Sequence, residues 1–167
     1  MEYKTFELIL AKLHRVEEKD VGAFRSRLRV LRDMGVPAVQ RPGKGSRVDY
    51  KFDDVWEAHF GLLLQEFGLP PLCVKALSGD PVRSTLEGED LQSTDLAHDL
   101  WAWILPIGFH KIAPTEEMNF TAHLGTLPKI FEEIQGKKMP AVLGGLINMS
   151  QLNREVEREF AKHAKCK

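Results

Sequence analysis

Three features of the sequence point to an α+β protein that is mainly helical. Apolar residues recur at helical spacing through most of the first 79 positions. One basic, glycine-rich stretch interrupts them. Beyond residue 98, short apolar or alternating runs take turns with amphipathic ones. Residues 1–79 therefore read as a first, helical domain and 99–167 as a small α+β domain. Between them 80–98, polar and carrying Gly, Pro and Ser, read as a linker.

The elements follow in order. "TFELILAKLH" (5–14) places Phe6, Ile9, Leu10 and Leu13 on one helical face. "RVEEKD" (15–20) is a polar connection whose Asp20 can cap the next helix. That second helix runs from about Val21 to Met34. Gly35 sits where a left-handed terminating residue belongs, and Pro37 prevents resumption. In "AVQRPGKGSRVDY" (38–50), Val39–Arg41 and Arg47–Tyr50 flank Pro-Gly-Lys-Gly-Ser, which reads as a hairpin. "DDVWEAHFGLLLQEFG" (53–68) is a third helix with acidic residues in its first turn and Gly68 at its stop. "LPPLCVKALSG" (69–79) restarts on proline as a short fourth. In the second domain, 100–109, 118–124 and 141–148 read as strands, and 127–136 and 150–163 as helices. Asn148 or Ser150 is placed to cap the last helix. There is no internal repeat.

Charge is distributed unevenly. Residues 1–52 carry a net +5 and residues 53–167 a net −6, giving −1 for the chain. A basic end on an acidic body is the asymmetry expected of a protein whose one end meets an anionic partner. The basic end has a pattern. In "FRSRLRVLRDMGVP" (24–37) four arginines fall within eight positions. At about 100° per residue, Arg25, Arg29 and Arg32 form one stripe with Ser26 at its edge, and Phe24, Leu28 and Leu31 form the core side. Arg27 lies at the border of the core face, as a phosphate or intramolecular partner. Three aligned guanidinium groups repel one another unless anions lie opposite. Their forks suit phosphate oxygens and the guanine O6/N7 edge, and a helix fits a major groove. The competing reading is a solvated face whose arginines pair with Glu17, Glu18 or acids in the acidic body.

"RPGKGSR" adds Arg41, Lys44 and Arg47 around a glycine-rich tip, next to Tyr50, in position to hold phosphates beside such a helix. It is not a nucleotide-phosphate loop: Gly43-Lys44-Gly45 lacks the Gly-Lys-Ser/Thr pattern and does not open a helix.

Helix, helix, basic hairpin, helix is the order of a winged helix-turn-helix. The stretch from Leu28-Arg29 through Gly35-Val36, Arg47, Tyr50 and Phe52-Asp53-Asp54-Val55 to Glu66-Phe67-Gly68-Leu69-Pro70 resembles the MerR-like DNA-binding domain. It covers roughly residues 10–78. Val30 and Leu31 stand where that family usually has aromatic residues, and the connection before Leu28 is longer than its tight turn. "AFRSRLRVLRDMGVP" and "INMSQLNREV" (147–156) are similar to segments of MerR-like regulators of alphaproteobacterial type. The resemblance implies that Arg29, Arg47 and Tyr50 contact DNA.

In the second half, Trp101, Trp103, Ile107 and Phe109 are either core or the lining of an effector pocket. His98, His110 and His123 have no metal-ligand spacing, nor do Cys73 and Cys166, which also give no disulfide framework. The final helix carries Leu152, Val156 and Phe160 as a stripe for its own sheet or for a dimer seam.

No nucleophile–base pair, zinc spacing or phosphate loop is present, so neither catalysis nor a cofactor is expected. The amino terminus has no signal pattern, because Glu2 and Glu7 break its apolar run, and no stretch approaches the ~20 apolar residues of a membrane span. The expectation is a cytoplasmic, nucleoid-associated regulator that binds double-stranded DNA as a homodimer through Arg25, Ser26, Arg29 and Arg32, with Arg41, Lys44, Arg47 and Tyr50 on phosphates. The alternative is a module that binds another regulatory protein through the same surface.

Overall fold

The computed structural model describes residues 1–39, 47–69, 71–78, 99–106, 120–136 and 145–164. The protein is α+β and mainly helical. Helices α1 (Tyr3–Leu13), α2 (Val21–Asp33), α3 (Phe52–Glu66) and α4 (Pro71–Ser78) come first. Strands β1 (Trp101–Pro106) and β2 (Phe120–Gly125), helix α5 (Leu127–Gly136), strand β3 (Gly145–Asn148) and helix α6 (Met149–Ala164) follow. They gather into two compact units, one of Met1–Gly88 with Arg154–Lys167, the other of Glu89–Asn153.

In the first unit α3 is the hub, packed against α1, α2 and α4. It is buried nearly all round, at Val55, Trp56, Ala58, His59, Phe60, Leu62 and Leu64, as a helix enclosed by others must be. Phe6, Ile9 and Leu10 of α1 and Leu28 and Leu31 of α2 are fully buried. Gly61 lets α2 come close, because a Cβ there would stand 2.9 Å from Leu31 Cδ1 and 3.1 Å from Val36 Cγ1.

Three helices of this unit end alike. After α2, Gly35 (φ 84°) is followed by Val36, whose N–H donates to Leu31 O at 3.1 Å; after α3, Gly68 (φ 76°) is followed by Leu69, donating to Leu64 O at 3.2 Å. After α1, Arg15 (φ 50°) takes the glycine's place, and Val16 donates to Ala11 O at 2.9 Å. These are left-handed stops that satisfy the last carbonyls. At the other end of α2, Asp20 stands at the capping position but accepts no hydrogen bond through its side chain. A single 3-10 turn, Glu18–Asp20, leads in instead.

The expected hairpin is not seen in what is described. Arg47–Tyr50 forms no strand, and 40–46, with Arg41 and Lys44, lies outside the described residues. Tyr50 exchanges backbone bonds with the first residue: its N–H donates to Met1 O at 2.9 Å, and the Met1 amine donates to Tyr50 O at 2.6 Å.

The second unit is built on an antiparallel sheet ordered β2-β1-β3. Trp101 stands opposite Gly125 on one side and Asn148 on the other. Ala102, Ile104 and Ile147 bury one face, with Ala102 paired to Ile147. The junction from β3 into α6 is held to residues 99–100. Asn148 caps α6 by accepting from Gln151 N–H at 2.7 Å, and its amide donates to the buried Asp99 carboxylate at 2.7 Å. Ser150 Oγ accepts from Leu100 N–H at 2.9 Å.

Helix α6 crosses the boundary that the sequence reading placed before residue 99. The Phe160 ring meets Phe52 edge-on at 5.6 Å, and His163 Nε2 lies 3.3 Å from Lys12 Nζ. Leu152 and Val156 are buried within the chain, so that part of the stripe has no surface to offer as a dimer seam. Of the aromatic group named above, Trp101 is half-buried; the Trp103 side chain, Ile107 and Phe109 lie outside the described residues, as do His98, His110, the His123 side chain and the 80–98 linker. No helix among the described residues is long and apolar enough to cross a membrane.

Candidate nucleic-acid interface

Helix α2 has two sides of opposite chemistry. Phe24, Leu28 and Leu31 are buried against the unit, while Arg25, Ser26 and Arg29 are exposed and Arg32 is half-buried. The helical spacing of the sequence thus places the stripe where it was expected. The partners of that stripe are not those expected.

Arg25 Nε donates to Glu7 Oε1 of α1 at 2.7 Å, with the arginine side chain still 62% exposed. Glu17, one of the acids named in the competing reading, pairs with Lys19 instead. The Arg32 guanidinium lies over the Tyr3 ring, 4.6 Å from its centroid. Ser26 Oγ donates back to Gly22 O at 3.0 Å, so its proton is already used. Arg29 makes no hydrogen bond or ion pair among the described residues. Arg27 turns inward: its Nη2 donates to Leu62 O at 3.2 Å and its Nη1 lies 3.4 Å from Glu66 Oε1. The border position of Arg27 on the helix wheel is therefore that of an intramolecular clamp.

Of the phosphate-holding set, Arg47 is exposed and donates to Glu2 Oε1 at 2.8 Å. Tyr50 requires a correction. It is only 4% exposed, and its ring stacks on Phe6 at 4.1 Å, so it serves the core instead of standing free on a wing. Tyr50, Arg32, Gly35, Pro37, Ala38, Val39 and Val48 line a small cavity of about 90 Å³ beyond the end of α2.

Glu2, Tyr3 and Glu7 are the residues that sequence reasoning missed. All three meet a basic side chain of the proposed site. A signal existed: Tyr3 and Glu7 are one helical turn apart, beside the apolar face of α1. Burial raises the Tyr3 hydroxyl above its ordinary pKa, and the Glu7 carboxylate adds to the rise while Arg32 opposes it.

Pairing of this kind does not disable an anion site. Exposed ion pairs are worth about 0–1 kcal/mol each and exchange readily for a better anion. Among the described residues no group of three or more His, Cys, Asp or Glu is placed to hold a metal ion. A scan against models of known protein families and a search of curated proteins find no match to this chain.

Proposed function

We propose that the protein is a sequence-specific DNA-binding regulator of transcription, of the MerR-like winged helix-turn-helix kind. It acts in the cytoplasm as a homodimer that sets two α2 helices into successive major grooves. One observation carries this reading: a 13-residue helix buries Phe24, Leu28 and Leu31 while its far side presents Arg25 and Arg29 to solvent. Arg32 and Arg47 extend the basic surface at the end of that helix. Arg41 and Lys44 belong to the proposed set on the sequence alone.

The test is titration of duplex DNA against salt. Retention should fall steeply as salt rises, with a slope set by the number of phosphates neutralised. Absence of any salt-dependent retention would reject the proposal.

A second reading has its own support. An open groove of about 360 Å³ is lined by Ser26, Arg27, Val30, Gln65, Gly68, Leu69 and Pro71. Val30, Phe67 and Leu72 are 49%, 53% and 74% exposed. Exposed apolar side chains beside a groove suit a protein partner, and this reading predicts no binding to duplex DNA.

A further inference from the structure

Tyr3 and Glu7 lie one turn apart on α1, and Arg32 and Arg25 lie two turns apart on α2. They meet pairwise, Tyr3 under Arg32 at 4.6 Å and Glu7 on Arg25 at 2.7 Å. The contact on Arg25 uses the part of the guanidinium that a base-reading fork does not need. Glu7 takes the Nε–H of Arg25, and the two terminal nitrogens make no hydrogen bond among the described residues. The Tyr3 ring holds Arg32 as a cation, its guanidinium carbon 4.6 Å from the ring centroid.

We infer that Tyr3 and Glu7 are positioning residues for base recognition, holding Arg32 and Arg25 so that two guanidinium forks stand oriented on either side of Arg29. The inference rests on the DNA-binding reading above and deepens it. An arginine held by its Nε or against an aromatic ring loses less freedom when it forms a bidentate pair, so it discriminates better between bases. The opposing account is simple masking, in which Glu7 is only an anion that competes with DNA. The two accounts predict opposite results.

The experiment selects duplexes from a randomised pool with the wild-type chain, then compares affinity for selected and random duplexes across variants. Glu17→Ala is the charge control, because Glu17 pairs with the exposed Lys19 and touches none of these arginines. Glu7→Ala should bind random duplex as the control does, yet lose about tenfold in discrimination. Glu7→Gln should recover most of that loss, because its amide oxygen still accepts the Nε–H without the charge. Tyr3→Leu should relax preference at a different base position. Should Glu7→Ala and Glu7→Gln instead bind every duplex equally more tightly with unchanged preferences, masking is correct and positioning is overturned. Should Glu7→Ala fail to fold, the Glu7→Gln and Tyr3→Leu results decide between the accounts in the same way. A wild-type chain that retains no duplex at any salt is a separate result, and it removes the DNA reading itself.

Discussion

His59 Nδ1 lies 2.9 Å from His14 Nε2, and the two rings meet edge to face in the interior of the first unit. His14 Nδ1 is in turn 3.1 Å from Glu66 Oε1, the carboxylate that Arg27 also approaches. One arrangement of protons serves both contacts: each ring carries its hydrogen on Nδ1, His59 donating to His14 and His14 to Glu66. Burial pushes the His59 imidazole down to about 3, with nearby His14 adding to the effect. Burial also lowers His14, outweighing the opposite pull of Glu66.

Both rings are thus held neutral in the fold, while the unfolded chain takes up protons below about pH 6.5. Stability should be fully present above that value and fall as the solution is acidified toward about pH 3. The slope from His59 alone is about 1.4 kcal/mol per pH unit, and larger where His14 adds to it. Denaturant midpoints measured from about pH 8 to about pH 5 would show this. His59→Asn, which keeps a donor near Nδ1 but cannot titrate, should flatten the curve.

Arg29 and Arg27 are two positions apart on α2 and should behave as opposites. Arg29→Ala should leave the fold intact, weaken binding to a selected duplex by about 1–3 kcal/mol and relax one base preference. Arg27→Ala removes the bond to Leu62 O and the approach to Glu66. It should cost about 1 kcal/mol of stability and leave base preference unchanged. Gel-shift titration paired with chemical unfolding separates the two. The reverse pattern would mean that the face of α2 is assigned wrongly.

Arg15 occupies a left-handed position where its neighbours in kind, Gly35 and Gly68, are glycines. Arg15→Gly should therefore raise stability by about 0.5–1 kcal/mol, the relief of left-handed strain exceeding the entropy glycine adds to the unfolded chain. Arg15→Ala should bring no gain. Thermal midpoints of the three proteins would decide it.

Asn148 joins the cap of α6 to the buried Asp99. Asn148→Ala should cost about 1–3 kcal/mol, from the lost cap and from a buried carboxylate losing a donor. Asn148→Ser keeps an oxygen for Gln151 N–H but not the amide, and should recover only the capping share. Equal losses in the two variants would place the whole effect on Asp99.

What the sequence made legible was periodic or chemically special. The repeats Phe6-Ile9-Leu10 and Phe24-Leu28-Leu31 marked two helices and their buried faces, and Gly35 and Gly68 marked two helix ends, because only glycine takes those torsions without strain. The polar run from Arg15 marked the end of α1 to within a residue, but not its left-handed stop, since Arg15 carries no such mark. The stripe of Arg25, Arg29 and Arg32 could be read from spacing, but its partners could not. Periodicity along α2 says which side faces out, not that Glu7 and Tyr3 of another helix lie beside it. Tyr50 was misjudged for the same reason: its neighbours in sequence are polar, whereas the side chain that decides its burial, Phe6, lies 44 positions earlier. The His14–His59 pair joins residues 45 apart and has no local signature.

The first unit takes in both ends of the chain, with Glu89–Asn153 set between them. During synthesis its two parts therefore leave the ribosome at different times, separated by several seconds at ~5–20 residues per second. The four leading helices emerge early, but Phe52 must wait for Phe160, and Lys12 for His163, until the last helix has been made. A gene fragment stopped at residue 79 would yield the first unit without its last helix. A circular permutant that joins 154–167 directly ahead of Met1 would let that unit be completed in one uninterrupted stretch.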